Sequence, residues 1–476
     1  MSMSLSMANA LSGLTAAAKT AETVSANVAN VMTEGYGRRE VVLTSTFGGV
    51  KVVGIDRITD ASLRGDRRLA EAGVANAQTK ADSLLRIEKQ IGLPGEPGSL
   101  PAALAAFDLS LIEAASQPSV QSRLEGVLRA AENVTTSFNA ISDKIQNERL
   151  MADQAINVAV EQINSSLEQV EELNSQIVRL NVLNRDTSTL EDNRQRIIDS
   201  IAELIPVKEV ARDRGRVALF TPTGGVLIDG PAGKLGFKPT GLIEPFMTSL
   251  HGLTFNETPV VTGSPYSQIA GGRLAALFEI RDEIAPEAQA AVDAVAYDII
   301  ERFEDTALNP APTGGLFIAA QPPIGVPPEV GIAGSISVNS LVNPDDPNGR
   351  IWRIRDGVGA ILQGPVGNNA TLNAMSEALE NATELVSGPL ALAGVERSAS
   401  GLVGDLVSFI SADRQTAESS ATYEGARAET LTIEELEGGV DTDQEMQKLI
   451  LVEQAYAANA RVVQTIDELL QSLLRI

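Results

Sequence analysis

The chain has 476 residues, a length at which several domains are expected rather than one core. Its 62 acidic and 37 basic residues give a formal net charge of -25, which would repel phosphate backbones and anionic lipid surfaces, so we expect neither nucleic acid nor a membrane as a partner. The absence of cysteine and the single histidine, His251, exclude disulfides, thiolate metal sites and sites that need two imidazoles. We expect no cofactor and no metal.

The N-terminal segment, residues 1–30, does not have the pattern of a cleaved secretory signal. It lacks a basic start, and Ser, Asn, Thr and Lys recur every few positions. No apolar run in the sequence reaches the length of about 18 residues that a transmembrane helix needs. The expectation is a protein that stays in the cytosol or leaves by a route that reads no cleaved signal.

The first predicted element is a helix with a thin apolar stripe and two asparagines one turn apart. Because much of the stripe is alanine, the helix buries little area and would be marginal alone in water. Asn27 and Asn30 are poor residues for a helix interior, and they indicate either hydrogen bonds to another helix in an assembly or ordinary surface positions near a helix end. The stripe consists of Met7, Leu11, Leu14, Ala18, Ala21, Val24 and Val28.

A glycine then ends this helix, and a short hairpin follows. Gly35 can adopt the left-handed conformation of a helix stop. Tyr36 is open to two interpretations, either a local packing residue or a contact between subunits. Residues 41–43 and 50–55 predict two strands joined through a Gly-Gly turn.

The longest regular feature is a helical region without glycine or proline over residues 127–205. A shorter amphipathic helix over 66–91 precedes it, and the Pro/Gly loop at 92–99 separates the two. The apolar residues of the long region lie on one side, with an interruption near 150. A helix of roughly 60 residues is about 90 Å long and needs partners of similar length, which predicts a coiled-coil-like rod.

At Pro206 the pattern becomes β-rich. Segments such as "RVALF" and "GVLIDG" alternate with Gly/Pro turns as far as about residue 263. Helical periodicity returns over 271–303, and a Pro/Gly-rich stretch at 309–349 contains the strand-like "SISVNSLV". Mainly helical sequence then continues to the end.

The last helix is a candidate partner for the first. Its apolar residues are spaced alternately three and four positions apart, which is the heptad pattern of a coiled-coil seam. The one polar member, Asn459, is of the kind that fixes register at some cost in stability. The seam consists of Leu449, Val452, Tyr456, Asn459, Val463, Ile466, Leu470 and Leu473.

Two small constellations could carry chemistry, and each has a simpler structural explanation. The segment "GGVLIDGPAGK" at 224–234 has some features of a phosphate loop, but Lys234 is followed by Leu and the glycine spacing fails, which favours hairpin turns. Asp441, Asp443 and Glu445 could bind a hard cation, but acidic residues in a first helical turn are expected from the helix dipole alone.

Both ends of the sequence resemble the bacterial flagellar rod, hook and hook-associated proteins. The N-terminal resemblance lies in Ala10-Leu11-Ser12-Gly13-Leu14, in Asn27-Val28-Ala29-Asn30 and in Thr33-Glu34-Gly35-Tyr36 followed by Arg38. The C-terminal resemblance lies in Glu445-Met446, Leu449, Gln454-Ala455-Tyr456, residues 458–461, Thr465 and Leu473-Leu474. The central "GGRLAALFEIRDEIAP" is similar to the middle of the hook-associated members. Rod and hook proteins generally lack the long helical region.

With the patterns above, the resemblance implies a mainly α fold with a β-rich insertion. Long coiled-coil-like helices, paired N- and C-terminal helices and discontinuous domains are expected. The expected division is a terminal coiled-coil assembly domain of residues 1–60 and 430–476, a long-helix rod domain with some β structure of residues 61–205 and 267–429, and a small β-rich insertion domain of residues 206–266.

The resemblance also implies a structural protein of the flagellum, not an enzyme, that joins the hook to the filament by axial self-assembly. Implied partners are the hook protein, the second hook-filament junction protein, further copies in a ring, and a flagellar export chaperone on the C-terminal helix. The protein would leave by type III export without a cleaved signal and would reside at the hook-filament junction. The expected assembly contacts are Leu11, Leu14, Asn27, Asn30, Gly35, Tyr36, Arg38, Leu449, Val452, Gln454, Tyr456, Asn459, Val463, Ile466, Leu470 and Leu473.

Three other functions compete with this one. The chain could be another axial protein of the hook or rod type, or a helical effector or tip protein of a related type III system. An effector or tip protein would have no reason to carry both of the resembling segments at the two ends of the sequence, which we call the terminal blocks. An enzyme that uses the β-rich region is the third, and the sequence contains neither a Gly-x-Ser-x-Gly nor a His-Glu-x-x-His pattern.

Overall fold

The computed structural model describes the whole chain except residues 1–2, 34, 184, 265, 305–313, 322, 324, 386–387, 390–391 and 475–476. Its helices are α1 (Met3–Ala29), α2 (Ala61–Ile91), α3 (Leu100–Ser116), α4 (Gln121–Val182), α5 (Ser188–Leu204), α6 (Arg273–Glu279), α7 (Ala285–Glu304), α8 (Arg353–Asp356), α9 (Ala370–Glu380), α10 (Ala399–Glu437) and α11 (Thr442–Leu474). A π-helical segment, Ile280–Ile284, joins α6 to α7.

The strands are short and all pair antiparallel. They are β1 (Arg38–Thr46), β2 (Gly49–Ile58), β3 (Lys208–Ala211), β4 (Val217–Phe220), β5 (Val226–Ile228), β6 (Leu235–Gly236), β7 (Leu253–Phe255), β8 (Thr258–Val260), β9 (Phe317–Ile318) and β10 (Ser337–Val338). They form the hairpin β1-β2, the pair β9-β10 and two three-stranded sheets in the orders β3-β4-β5 and β6-β7-β8.

The architecture confirms the predicted mainly α fold with a β-rich segment and paired terminal helices. The rod consists of α4 with α2 beside it, and α10 runs along α2. At one end of the rod α1 packs against α11, so the two ends of the chain lie side by side. The hairpin β1-β2 lies against α1.

The longest helix, α4, is continuous where the sequence pattern shows an interruption. It has 62 residues, which corresponds to a length of about 93 Å. The interruption near 150 is instead a change in what the helix buries. Glu148, Arg149 and Asp153 are all buried there, and they separate two apolar clusters.

The two clusters divide the core along the rod. The first lies around the N-terminal half of α4 with α3, α7 and the start of α10, and its centre contains Phe107, Phe303 and Phe317 with ring centroids 5.2–5.8 Å apart. The second joins the C-terminal half of α4 to α5, α6 and the two small sheets. The apolar stripe of α4 therefore serves two different sets of neighbours.

Each buried charge of the polar belt between the clusters has partners. Glu148 accepts hydrogen bonds from Arg86 at 2.8 to 3.1 Å, and Asp153 pairs with Arg281 at 2.7 Å. Arg149 Nε donates to the backbone carbonyl of Arg281 at 3.0 Å. Buried charges are tolerated when they are paired and hydrogen-bonded in this way. The belt fixes the π-helical segment against the middle of α4.

The β-rich segment does not form an apolar cluster of its own within the described residues. Leu219, Ile228 and Leu253 belong to the same cluster as Ile163 of α4 and Ile198 of α5. The two sheets therefore cover one side of the rod. The division of the chain into domains stays a prediction, and its boundary at 430 falls inside α10.

Three element boundaries differ from the sequence expectation for local reasons. Helix α2 begins at Ala61 because the carboxylate of Asp60 accepts the backbone N–H groups of Ser62 and Leu63. The helical region over 271–303 contains the π-helical segment, which lies just before Pro286, a residue without an N–H group. The strand-like stretch at 335–342 contains only the two-residue β10, and a 3-10 turn follows it.

The burial of Asp293 makes the stability of the fold depend on pH. Its carboxylate accepts the backbone N–H groups of Gly331 at 2.8 Å and Ala333 at 2.9 Å, and burial raises its pKa from 3.8 to about 6. Because the folded state binds this proton more tightly, ionisation of Asp293 lowers the free energy of unfolding as the pH rises through this range. The shift corresponds to on the order of 3 kcal/mol.

We expect the Asp293→Asn variant to lose this pH-dependent contribution. Its free energy of unfolding in urea, compared with that of the wild type, should rise steadily between pH 4 and pH 7. The exposed Asp345→Asn is the control and should show no such trend. A difference between wild type and Asp293→Asn that stays constant over this pH range would contradict the expectation.

Candidate assembly surface

The helices α1 and α11 pack antiparallel at close range. Gly13 lies beside Asn459, and a Cβ atom at Gly13 would come within 2.7 Å of the Asn459 side-chain nitrogen. Further along, the side chain of Asn27 meets Glu445 near the start of α11. We call α1, α11 and the hairpin β1-β2 together the terminal unit.

The face that α1 buries is rotated from the predicted stripe. Its buried residues are Ala10, Ala16, Ala17, Thr23, Val24 and Asn27. Leu11 is 59% exposed, and Ala18 is exposed as well. The reason is that α1 packs against both α11 and the hairpin, and its small residues let both approach closely.

Asn27 is fully buried and connects three parts of the terminal unit. Its amide nitrogen donates to the Arg39 carbonyl at 2.9 Å and to the Glu445 carboxylate at 3.0 Å. Its amide oxygen accepts the backbone N–H of Arg39 at 3.0 Å and the hydroxyl of Tyr36 at 2.9 Å. The polar end of the first helix is therefore explained by contacts within the chain.

The partners of Asn27 are buried in the case of Glu445 and half-buried in the case of Tyr36 and Arg39. Glu445 is 1% exposed and also accepts from Arg38 Nε at 2.8 Å. Burial raises the pKa of the Tyr36 phenol above its ordinary value, with Arg39 opposing the shift. The phenol accordingly stays protonated at neutral pH and can donate to Asn27.

A second polar cluster joins the terminal unit to the rod. Asp192 of α5 pairs with Arg39 and with Arg57, each at 2.7 Å, and accepts the backbone N–H of Gly37 at 3.2 Å. A side chain at position 37 would overlap the guanidinium of Arg57. Gly35 has a φ of 75°, in the left-handed region that favours glycine. These two glycines let the chain turn tightly against α5.

The structure places the expected assembly contacts in three different settings. Those inside or beside the polar clusters are Asn27, Gly35, Tyr36 and Arg38. Those buried or half-buried on α1 and α11 are Leu14, Asn30, Leu449, Val452, Asn459, Val463 and Ile466. Those exposed to solvent are Leu11, Gln454, Tyr456 and Leu470. The side chain of Leu473 lies outside the described residues.

Asn27 and Asn30 differ although they are one turn apart. Asn30 donates to the Ala26 carbonyl of its own helix at 2.8 Å and holds no other element. The fully buried Asn27 has no free amide group to offer a neighbouring subunit in this conformation. For every residue of the set, a role in contacts between subunits stays a prediction.

Sequence reasoning missed a second stripe on α11. Its members repeat at spacings of four and three, and each directly precedes a residue of the predicted seam, so the stripe lies about 100° around the helix from the seam. All of them are exposed, including Leu451 at 65%, Val462 at 44% and Leu469 at 51%. The signal was present in the sequence as a second heptad set. The outer stripe consists of Leu451, Ala455, Ala458, Val462, Thr465 and Leu469.

The constellations that could have carried chemistry have structural roles. Asp441 caps α11 by accepting the backbone N–H groups of Asp443 and Gln444, and Glu445 is held by Asn27 and Arg38. Residues 224–234 contain β5 and the turns on either side of it. Within the described ranges, no group of three or more His, Asp or Glu side chains could hold a metal ion. None of the described helices combines the length and hydropathy needed to cross a membrane.

Two family models match the chain. The model described as "Flagellar hook-associated protein FlgK helical domain" matches residues 84–308. The model described as "Flagellar basal body rod FlgEFG protein C-terminal" matches residues 437–476. The first extends from the end of α2 to the end of α7 and includes all of α4, and the second covers α11.

Several known proteins are similar to the chain. Flagellar hook-associated protein 1 of Bacillus subtilis is 24% identical over 95% of this chain and 94% of that protein. The protein of the same name from Salmonella typhimurium is 27% identical over 48% of this chain and 43% of that protein. The solved structure of the flagellar hook junction protein FlgK from Burkholderia pseudomallei aligns with 54% of this chain and 47% of that chain, with a TM-score of 0.43 and 20% identity.

Replacing Asn27 should loosen the terminal unit. In Asn27→Ala, buried groups on Glu445, Tyr36 and Arg39 lose a hydrogen-bonding partner, which we expect to cost about 3 kcal/mol. The measurement is hydrogen exchange of the α1 and α11 amides, which should become faster while the exchange in α4 stays unchanged.

The matched control is Asn30→Ala, which removes an asparagine from the same helix without breaking a contact to another element. It should leave the exchange of the α11 amides close to that of the wild type. Equal effects of the two substitutions on α11 would show that the Asn27 network does not hold the two helices together.

Proposed function

We propose that this protein, whose predicted resemblance to flagellar hook-associated protein 1 is confirmed by the family models and relatives above, is a structural subunit of the bacterial flagellum that joins the hook to the filament. The observation that carries the proposal is the match at almost full length to a hook-associated protein 1, together with the pairing of the two terminal helices. Both terminal blocks of the sequence lie in this one unit.

Assembly takes place through the terminal unit. α1 of the same chain packs against α11 and leaves Tyr456 and Leu470 of the seam, together with the whole outer stripe, open to other copies. Three large aliphatic side chains of this stripe are exposed, and their spacing suits packing against another long helix. Leu11 and Tyr456, which are also exposed, extend the apolar surface on either side.

The proposed partners follow from the position of such a subunit. Copies of the chain form a ring, the hook protein lies on one side and the second hook-filament junction protein lies on the other. Before export, a flagellar chaperone covers the exposed face of α11. The protein leaves through the flagellar type III apparatus without a cleaved signal and resides at the hook-filament junction.

We propose that the chain has no enzymatic activity. The similar proteins named above are flagellar structural proteins. The side chains in the polar clusters of the terminal unit form hydrogen bonds to one another and to backbone groups. No observation favours an effector or a needle-tip protein, since neither would require both terminal blocks.

A strain that lacks this chain tests the proposal. We expect hooks without filaments and filament protein released into the medium, because the filament would have no surface to grow from. Complementation with the wild-type chain should restore filaments. Filaments of normal length in the deletion strain would reject the proposed function.

Charges on the outer stripe should block assembly without unfolding the subunit. In Leu451→Asp with Leu469→Asp, each substitution removes roughly 2 kcal/mol of burial in the assembled state and adds a charge that must lose its water. Because both residues are exposed in the isolated subunit, its thermal midpoint should hardly change. Filaments should fail to form.

Leu436→Asp is the control, since Leu436 is as exposed as Leu451, at 65%, but lies on α10 outside the stripe. It should support filaments. Secreted protein is measured separately in the medium, so that a defect in export is distinguished from a defect in incorporation. An exported double variant that builds functional junctions would show that the outer stripe is not an assembly surface.

A further inference from the structure

A groove lies at the end of the rod opposite the terminal unit. It runs between α3 and α9 to the start of α10 and consists of two adjoining hollows of about 490 and 400 Å³. The hollows share Ile112 and Glu380, which makes the groove continuous. Leu109 and Ile112 on its floor are 57% and 51% exposed. A substantial apolar surface is therefore open to solvent at this end.

The charged residues that line the groove are all acidic, and Arg123 lies at one edge, where it donates to Ser116 Oγ at 3.3 Å. Asp108, Glu377 and Glu380 line it, and no lysine or arginine is among its lining residues. Asp108 accepts a hydrogen bond from Ser376 of the facing helix at 2.7 Å. Over the described part of the chain, none of the three carboxylates is in an ion pair. The groove thus suits a partner that offers aliphatic side chains and cations together.

The opposite end of the rod offers both exposed aliphatic side chains and cations. Val182 and Leu183, at the end of α4, are 61% and 63% exposed. Around them, in the last turns of α4, in the loop that follows and in the turn before β4, are the five exposed arginines Arg179, Arg185, Arg212, Arg214 and Arg216. Four exposed carboxylates lie among them, those of Glu172, Asp186, Asp213 and Asp229.

The basic turn is held in place by α4. Asn181 donates to the Arg214 carbonyl at 3.0 Å, and Gly215 packs against the same helix. Arg214 has a φ of 59°, an uncommon conformation for a residue with a side chain. Of the five arginines, Arg179 and Arg212 pair with nearby carboxylates. On this fixed surface, which we call the basic end, Arg185, Arg214 and Arg216 are in no ion pair within the described residues.

We infer that the acidic groove of one copy binds the basic end of a second copy. The two surfaces lie towards opposite ends of α4, a helix about 93 Å long, so they cannot meet within one chain. A contact between unlike surfaces of identical chains repeats from copy to copy and builds a ring or a helical array. The inference rests on the proposed function, since it names a contact between copies in that assembly.

Cross-linking tests the contact, and the chain is suited to it because it contains no cysteine. One copy carries Asn373→Cys in the groove, and a second carries Asp213→Cys in the basic turn, which keeps all five arginines. Both are expressed in the deletion strain, and isolated hook-filament structures are treated with a short bismaleimide. We expect a cross-linked dimer only when both variants are present.

Gln154→Cys, on the exposed middle of α4, replaces Asn373→Cys in the control and should give no dimer with Asp213→Cys. Filaments without a cross-linked dimer would overturn the inference and leave the proposed function standing. Filaments in the deletion strain itself would reject the proposed function instead.

Charge-reversal variants test whether the acidic groove is occupied by the basic end of a second copy. Glu377→Lys with Glu380→Lys should lower incorporation into junctions at least tenfold, and adding Arg214→Glu with Arg216→Glu should restore it. Glu161→Lys with Glu168→Lys, in the middle of the rod, is the matched control and should incorporate normally. Circular dichroism of each purified variant checks its helical content. A loss that the arginine reversal does not restore, or no loss at all, would overturn the assignment of a second copy.

Discussion

The buried amide of Asn27 is the contact on which the terminal unit depends. One side chain uses both its nitrogen and its oxygen to join α1 to the backbone of β1 and to the carboxylate of Glu445 on α11. An apolar residue would leave those groups buried without partners, and a carboxylate would repel Glu445. Asp192 then ties the same hairpin to the rod through two arginines. These contacts hold α11 in one orientation against α1 and the hairpin.

Arginine is the residue that connects the helices of this acidic chain. Arg68 of α2 is 1% exposed and donates to Asp199 and Gln195 of α5 and to Glu209 of β3. Arg281 holds the π-helical segment to α4 in a similar way through Asp153. The planar guanidinium group provides several donors in a fixed geometry, which suits it to joining more than two elements at once. The rod is thus held by polar crosslinks as well as by its two apolar clusters.

Periodicity in the sequence predicted the long helices, the pairing of the termini and the location of the sheets, because each depends on the spacing of apolar residues along the chain. It did not predict which face of α1 is buried. Leu11 belongs to the predicted apolar stripe, but α1 is covered from two sides, and small residues such as Ala17 are buried instead. Periodicity also did not distinguish Asn27 from Asn30, because the two differ in the partners of Asn27, which lie 12 and 418 residues away along the chain. The outer stripe went unrecognised because one heptad seam had already accounted for α11.

The distance along the chain between Asn27 and Glu445 determines the order in which the molecule can fold. Closing a loop of 418 residues costs about 5 kcal/mol of chain entropy if the segment between is unstructured. Contacts such as those between α3 and α4 or between α4 and α5 join neighbouring elements, whereas the pairing of α2 with α10 joins residues such as Glu88 and Ser411 that are 323 positions apart. Once α2 and α10 have paired, Arg67 and Glu435 are in contact, so the loop that the terminal unit must close is much shorter. The terminal unit therefore closes at the lowest cost in chain entropy when α2 and α10 are already paired.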